Sequence, residues 1–358
     1  MKKILKSVCI FIAIFTILGG TAAGFFIYHK YMPVNDPIDP VEWFGVAGDR
    51  VAIVLNNELL TDEKGRLIDG EIYLSLEWVN QQLNERFYWD QEEKELIYTL
   101  PEEIIYADAS TMGSNGKPLF VEQEDKVWLL AGLVVNYTDV RIESFVDEAA
   151  KRIFIDTEWE SVPEARLTKA GKLRVRGGIK SAVLTEMTEE ENVLILETME
   201  NWSKVRTRTG YIGYIQNRCL GVQSEHHFFS NFQEPVYTNI SLGEPVCLVW
   251  HQVFSQQANQ AMEQLMSSAK GVNVIAPTWF MLTDNEGNYE CLADKDYVNK
   301  AHAMGIQVWA VVDNFNKGDN VQSEILFARR TSREKLIKSL MEDAKTYQLD
   351  GINLDIEG

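Results

Sequence analysis

The 358-residue chain carries 34 Lys and Arg against 53 Asp and Glu, a formal net charge of −19. So acidic a chain has no basic footprint with which to neutralise phosphates, which excludes a general nucleic-acid binder, while its length leaves room for two or three domains. The cysteines Cys9, Cys219, Cys247 and Cys291 form no C-x-x-C pair and have no His at metal-ligand spacing, so neither a zinc site nor a disulfide framework is indicated. They are expected to be small buried hydrophobes, and no cofactor or metal is expected.

Residues 1–31 open with Lys2, Lys3 and Lys6 ahead of an apolar run from Val8 to Ile27. Its length matches a membrane-spanning helix, and the positive flank would keep the N-terminus cytoplasmic and the bulk of the chain outside, facing the cell wall. A cleaved signal at Thr21-Ala22-Ala23 is the rival; either way the protein is exported. Residues 32–47 hold Pro33, Pro37 and Pro40 and read as a stiff extended linker.

Residues 48–159 contain an internal repeat. Ile72–Leu76, Trp78–Asn80, Phe87–Asp90 and Glu95–Tyr98 are echoed by Val127–Leu130, Leu133–Val135, Ile142–Asp147 and Arg152–Ile155, each unit reading as strand, short helix and hairpin. The pair resembles the small α+β domain found at the N-terminus of copper amine oxidases and in exported wall proteins. No copper ligands accompany it, and the resemblance implies a spacer or wall-proximal module.

Residues 164–222 change to short strands: Lys172–Arg176, Ala182–Met187, Asn192–Leu196, Trp202–Arg206 and Gly210–Ile215. This close spacing suggests a small β-barrel. The segment resembles the bacterial Src-homology-3 fold, which implies a groove for wall peptide with Trp202, Tyr211 and Tyr214 as candidate lining. Core packing explains the same aromatics.

From 242 to 358 strand and helix alternate: strands Val246–Trp250, Val272–Phe280, Ile306–Val312 and Gly351–Glu357, helices Gln257–Ala269, Asp294–Met304 and Ser332–Tyr347. Ser332 stands where an N-cap is expected, with Lys335 in place of the usual capping-box Glu, and Gly305 closes the second helix. Near-continuous apolar strands between amphipathic helices argue a parallel sheet with helices outside, four units of an eightfold barrel.

The last strand carries the chemistry. At the two-residue period Asn353, Asp355 and Glu357 share one face, and Ile352, Leu354 and Ile356 the other. The stretch Asp350-Gly351-Ile352-Asn353-Leu354-Asp355-Ile356-Glu357 resembles the signature of glycoside hydrolase family 18, the chitinase-like hydrolases. The resemblance implies a (β/α)8 TIM barrel whose first half is present here, further strands beyond Gly358, and no turnover by residues 1–358 alone. Unpaired edges at strands one and four are expected with it.

The same resemblance implies that Glu357 is the acid/base and that Asp355 orients the substrate's own N-acetyl group, which attacks in place of a protein nucleophile. Asn353 would hydrogen-bond Asp355, and Asp350 and Gly351 would shape the loop. A carboxyl must keep its proton near neutrality to act as acid, and a second acid beside it works in that direction. Val312-Asp313-Asn314-Phe315 stands where chitinases often carry Ser-x-Gly-Gly, which favours the spore-cortex and cell-wall branch. Asp313, Asn314, Trp279 and Phe280 are candidate sugar contacts. The implied substrate is N-acetylglucosamine-containing glycan, peptidoglycan or chitin-like. Two other readings remain: a non-catalytic cell-wall glycan-binding protein, and a barrel enzyme using Asp355 and Glu357 as magnesium ligands.

Overall fold

The structure is a computed structural model and describes residues 16, 20–21, 24–26, 28–146, 149–315 and 321–357. Most of the apolar run expected to span a membrane lies outside the described residues, as does Cys9; among the described residues no helix is long and apolar enough to cross a bilayer. The chain divides into two compact units, Met1–Glu85 with Met112–Glu234 and Arg86–Thr111 with Pro235–Gly358.

In chain order, α1 (Pro40–Phe44) precedes β1 (Arg50–Leu55), β2 (Glu58–Ile68), β3 (Glu71–Ser75), α2 (Leu76–Gln82), β4 (Phe87–Asp90), β5 (Glu95–Thr99) and β6 (Ile104–Ala107). There follow β7 (Phe120–Gln123), β8 (Lys126–Leu130), α3 (Ala131–Tyr137), β9 (Arg141–Phe145) and β10 (Arg152–Asp156). The repeat is visible as β3-α2-β4-β5 against β8-α3-β9-β10, strand, helix and hairpin in each.

The two hairpins have different fates. β9 and β10 complete a sheet of order β7-β8-β3-β2-β1-β10-β9, whereas β4 and β5 join β6 in a separate three-stranded sheet of the second unit. Besides β2, β1 has one free edge, and β10 takes it in parallel register from Ala52 against Arg152 to Leu55 against Ile155. The expected single domain over 48–159 is therefore split.

A second sheet of the first unit comprises β11 (Val162–Leu167), β12 (Gly171–Arg174), β13 (Val183–Met187), β14 (Asn192–Thr198), β15 (Trp202–Thr207), β16 (Ile212–Gln216) and β17 (Leu220–His226). Its order is β13-β12-β16-β15-β14-β11-β17 with antiparallel neighbours throughout. The five expected strands are β12 to β16; β11 and β17 extend them. Leu173, Val193, Val205 and Ile215 from this sheet share one core with Phe44, Ala52, Val54 and Phe154. The alternating strands thus bury one face of each sheet against the other, which joins β1–β3 and β7–β10 to the small barrel-like module in one unit.

The proline-rich segment is not a free linker. Val34 N donates to Ile179 O, Ile38 N to Val183 O, and Val183 N to Asp36 O, so residues 34–38 run along β13. The backbone donors of an edge strand are satisfied this way.

Two arginines bind the unit internally. Arg206 meets Asp156 at 2.8 Å and Glu143 at 2.9 Å. Fully buried Arg152 donates to the carbonyls of Gly210 at 2.6 Å, Ala150 at 2.7 Å and Thr209, beneath the rings of Phe44, Phe145 and Tyr211. Gly210 is in the left-handed region at φ +72°, and a Cβ there would lie 2.5 Å from the Phe145 ring. Arg152→Met strands three carbonyls and is expected to cost about 2–4 kcal/mol of stability. Urea denaturation followed by far-UV circular dichroism measures the loss, and an unchanged midpoint refutes it.

The second unit adds β18 (Leu248–His251), α4 (Met262–Ser267), β19 (Val274–Leu282), β20 (Tyr289–Cys291), α5 (Lys295–Ala303), β21 (Gln307–Asp313), α6 (Ser323–Ala328), α7 (Arg330–Tyr347) and β22 (Gly351–Asp355). The main strands lie in sequential order β18-β19-β21-β22, all parallel, with β20 antiparallel on β19. Sequential parallel strands with helices between them follow the barrel rule, and β18 and β22 are edges of the described sheet.

Ser332 does not cap α7; it is buried inside the helix, which begins at Arg330. The β4–β5 hairpin caps it instead. Asp90 Oδ2 accepts from Arg330 N and Glu93 Oε1 from Thr331 N, both at 2.9 Å, satisfying two N–H groups that a helix start leaves open. Arg330 also meets Glu95 at 2.8 Å and lies 3.6 Å from the Tyr106 ring centroid. These partners are more than 200 residues distant in sequence, so local capping rules could not locate the start.

Candidate functional site

The site is the C-terminal end of β22 and β21. Their parallel register pairs Trp309 with Gly351, Val311 with Asn353 and Asp313 with Asp355. In-register residues of neighbouring strands point to the same face and lie about 4.8 Å apart, so the acids of the two strands form a lateral pair with Asn353 one step below. Beyond the strand end, Asn314 holds the backbone of Glu357: its Nδ2 donates to Glu357 O at 2.7 Å and its Oδ1 accepts from Glu357 N at 3.0 Å. The Glu357 side chain is exposed and Asp355 half-buried.

Asp313 is 4% exposed and accepts from Phe315 N at 3.4 Å. Burial raises its affinity for a proton above that of an ordinary carboxyl, opposed by the Phe315 N–H and reinforced by the charge of Asp355. Asp313 thus holds a proton more readily than an ordinary carboxyl, beside Asp355. Asn314, expected as a sugar contact, is engaged with the Glu357 main chain.

Behind the acids, Asp350 pins the start of β22. Its Oδ2 accepts from Val308 N and meets His302 Nε2, both at 2.8 Å, while its N–H donates to Val308 O. Gly351 lies under the Trp309 indole: a Cβ there would stand 2.9 Å from Trp309 Cδ1. The glycine is needed for close approach, with no unusual φ involved. Ile352 and Ile356 pack on the helix-side core as expected, but Leu354 is 64% exposed, on a strand that pairs only with β21 among the described residues.

Trp279 and Phe280 are not placed to touch a sugar. Both are sealed in the helix-side core, Trp279 Nε1 donating to Asn259 Oδ1 at 2.8 Å and Phe280 meeting Tyr289 edge-on. A register shift between Thr278 and Phe280 inserts Trp279 as an extra residue, so the two neighbours turn to the same side. Simple alternation gives no sign of such a bulge. The same core holds His251, whose Nδ1 lies 2.9 Å from Tyr297 Oη.

Among the other candidates, Tyr211 is a core residue, 5.8 Å from Phe44 between ring centroids. Trp202 is half-buried and lines a cleft of about 430 Å³, and Tyr214 lines a second of about 400 Å³ with Trp43 and Lys204. Cys219 is buried as expected; Cys291 is half-buried and Cys247 exposed. Among the described residues no group of three or more His, Cys, Asp and Glu side chains is arranged to hold a metal ion.

No family model matches the chain, and no curated protein matches it. Solved structures resemble part of it. The spore cortex-lytic enzyme SleL of Bacillus cereus is 15% identical with a TM-score of 0.28, covering 37% of this chain and 31% of its own. A chitinase of Chromobacterium violaceum ATCC 12472 is 17% identical with a TM-score of 0.25, covering 31% of this chain and 34% of its own. A chitinase of Bacteroides thetaiotaomicron is 14% identical with a TM-score of 0.25, covering 32% of this chain and 36% of its own. The chain thus spans about a third of the length of the structures it matches.

Two outcomes follow from this geometry. Gly351→Ala forces the Trp309 indole aside and is expected to cost about 1–3 kcal/mol, measured as a lower urea midpoint. Burial lowers the proton affinity of His251 below the ordinary histidine value of 6.5, so the unfolded chain binds the proton first. The stability this contributes is complete above pH 6.5 and is lost as the pH falls from there toward the lowered native value. Urea midpoints at pH 7.5 and 5.5 should differ more for the wild type than for His251→Gln; equal differences refute the assignment.

Proposed function

We propose that the protein is an exported glycosidase of the glycoside hydrolase family 18 kind, acting on N-acetylglucosamine-containing glycan of the cell wall. The observation that carries the proposal is the row Asn353, Asp355 and Glu357 at the C-terminal end of a parallel strand, in the Asp-Gly-x-Asn-x-Asp-x-Glu pattern, with Glu357 clamped by Asn314. Enzymes built on parallel α/β barrels place their chemistry at this end of their strands.

Glu357 protonates the glycosidic oxygen of the departing sugar and then, as carboxylate, removes a proton from the water that completes hydrolysis. The 2-acetamido oxygen of the substrate attacks the anomeric carbon, and Asp355 orients that group and offsets the positive charge it develops. Asp313 flanks Asp355 across the strand register, and its burial favours the neutral form of its carboxyl. Asn353 borders Asp355 on the same strand face and adds no charge. Export rests on Lys2, Lys3 and Lys6 ahead of the apolar run.

The protein is to be assayed on purified peptidoglycan and on chitin oligosaccharides. Release of new reducing ends is expected, with Glu357→Gln slowing turnover by roughly 10²–10⁴-fold, the range of general acid/base contributions. Unchanged turnover in that variant overturns the assignment of Glu357. Binding without release by the wild type decides for a glycan-binding protein instead. Asp313→Asn is expected to lower kcat with little change in KM and to shift the pH profile of kcat; a profile identical to wild type removes Asp313 from the mechanism.

A further inference from the structure

The cleft of about 400 Å³ is built from both sheets of the first unit. Trp43 and Phe44 come from α1, Val54 from β1, Glu58 from the start of β2 and Phe154 from β10, so most of its wall stands outside residues 164–222. Lys204 and Tyr214 close the other side; they are paired across β15 and β16, which sets both side chains on one face of that sheet. The volume falls in the range of small-ligand sites, roughly 300–1,000 Å³.

The floor and the rim of this cleft differ in chemistry. Phe44, Val54 and Phe154 are buried and make the floor apolar. Trp43, Lys204 and Tyr214 are half-buried and Glu58 is exposed. Among the described residues the Trp43 indole N–H, the Tyr214 hydroxyl, the Lys204 ammonium and the Glu58 carboxylate have no side-chain hydrogen bond or ion pair. Four polar groups thus surround an apolar slot with their bonding capacity unspent.

The wall that carries Glu58 is fixed in place. Asn56 and Asn57, at φ +46° and +67°, make the two-residue turn between β1 and β2. Asn56 exchanges two hydrogen bonds of 2.9 Å with Thr157, and Asn57 Oδ1 accepts from Arg206 at 3.2 Å. A wall held from two sides loses little freedom when a ligand enters.

Charge and polarity narrow the ligand. The lining holds one cation and one carboxylate, so it presents no net field to draw in an ion. A wholly apolar ligand would seal the rim groups away from water without partners, and a ring with hydroxyls on every side would press some of them onto Phe44 and Phe154. A neutral sugar with one apolar substituent satisfies both ends. The methyl of an acetamido group fits the floor, its amide and the ring hydroxyls meet the rim, and the C–H face of the ring lies on the aromatic body of Trp43, which keeps its polar edge free.

We propose that this cleft is a non-catalytic saccharide site for a 2-acetamido sugar, with Trp43 as the stacking platform, Phe44 and Phe154 receiving the acetamido methyl, and Glu58, Lys204 and Tyr214 bonding the polar groups. It belongs to the first unit, and it stands whether or not Glu357 cleaves glycan.

Calorimetric titration of the whole 358-residue chain with N,N′-diacetylchitobiose and with cellobiose tests the proposal. The acetylated disaccharide is expected to bind, and cellobiose to bind roughly tenfold more weakly or worse, because it leaves the floor unfilled. Glu58→Ala, at an exposed position outside the core, is expected to weaken the acetylated sugar by roughly threefold to tenfold. Trp43→Ala is expected to cost roughly tenfold or more; because Trp43 also packs on the core, Trp43→Phe serves as the control and is expected to recover most of the loss. No binding by the wild type overturns the site, and equal affinity for the two disaccharides overturns the acetamido assignment. Affinity unchanged in both Glu58→Ala and Trp43→Ala places the sugar elsewhere and overturns the cleft. The glycosidase reading is scored by released reducing ends, so either can fail alone.

Discussion

The second unit depends on one pairing, that of β21 with β22. Its register puts Asp313 beside Asp355, brings Asn314 to the main chain of Glu357, and is kept close at its lower end by Gly351 under Trp309. A slip of one residue would turn every acid to the helix side. Asp350, bonded to Val308 N and His302, blocks that slip where the strand begins. The conspicuous acids are thus held by less conspicuous neighbours, an Asn, a Gly and a Trp.

The same logic of remote support recurs elsewhere. The helix that delivers β22 begins where the β4–β5 hairpin offers Asp90 and Glu93 to its first N–H groups, and Arg330 is held between Glu95 and Tyr106. In the first unit, Arg152 and Arg206 bring two sheets onto one core, partly by hydrogen bonds to carbonyls that no side-chain pattern announces. Buried polar groups of this kind confer little net stability but are expensive to leave half-satisfied, so they act as registration devices for the packing around them.

Much of the chain is legible in its sequence. Strand, helix and hairpin could be read twice over in 72–155, five strands in 172–215 and four strands separated by three helices in 246–357, because apolar periodicity is local. The remainder is non-local. The repeat's first hairpin left for another sheet because β10 occupies the edge of β1, and the proline-rich segment lies along β13. Ser332 was passed over as a cap because carboxylates from a distant hairpin satisfy the helix start earlier. At the candidate site, Asp355 and Glu357 could be named from their spacing, but Asn314 as a backbone clamp and Asp313 as a lateral acid required the strand register. Trp279 and Phe280 were carried into the core by a bulge invisible to alternation.

The sequence by itself determined which residues could do chemistry: a polar row of Asn353, Asp355 and Glu357 on one face of a strand, since side-chain direction follows from the two-residue period alone. Only the tertiary structure decided what stands beside that row, since lateral neighbours depend on which strands pair and in what register. It also decided that Arg152 is buried against three main-chain carbonyls, because burial and hydrogen-bond partners belong to the packed chain and to no stretch of it.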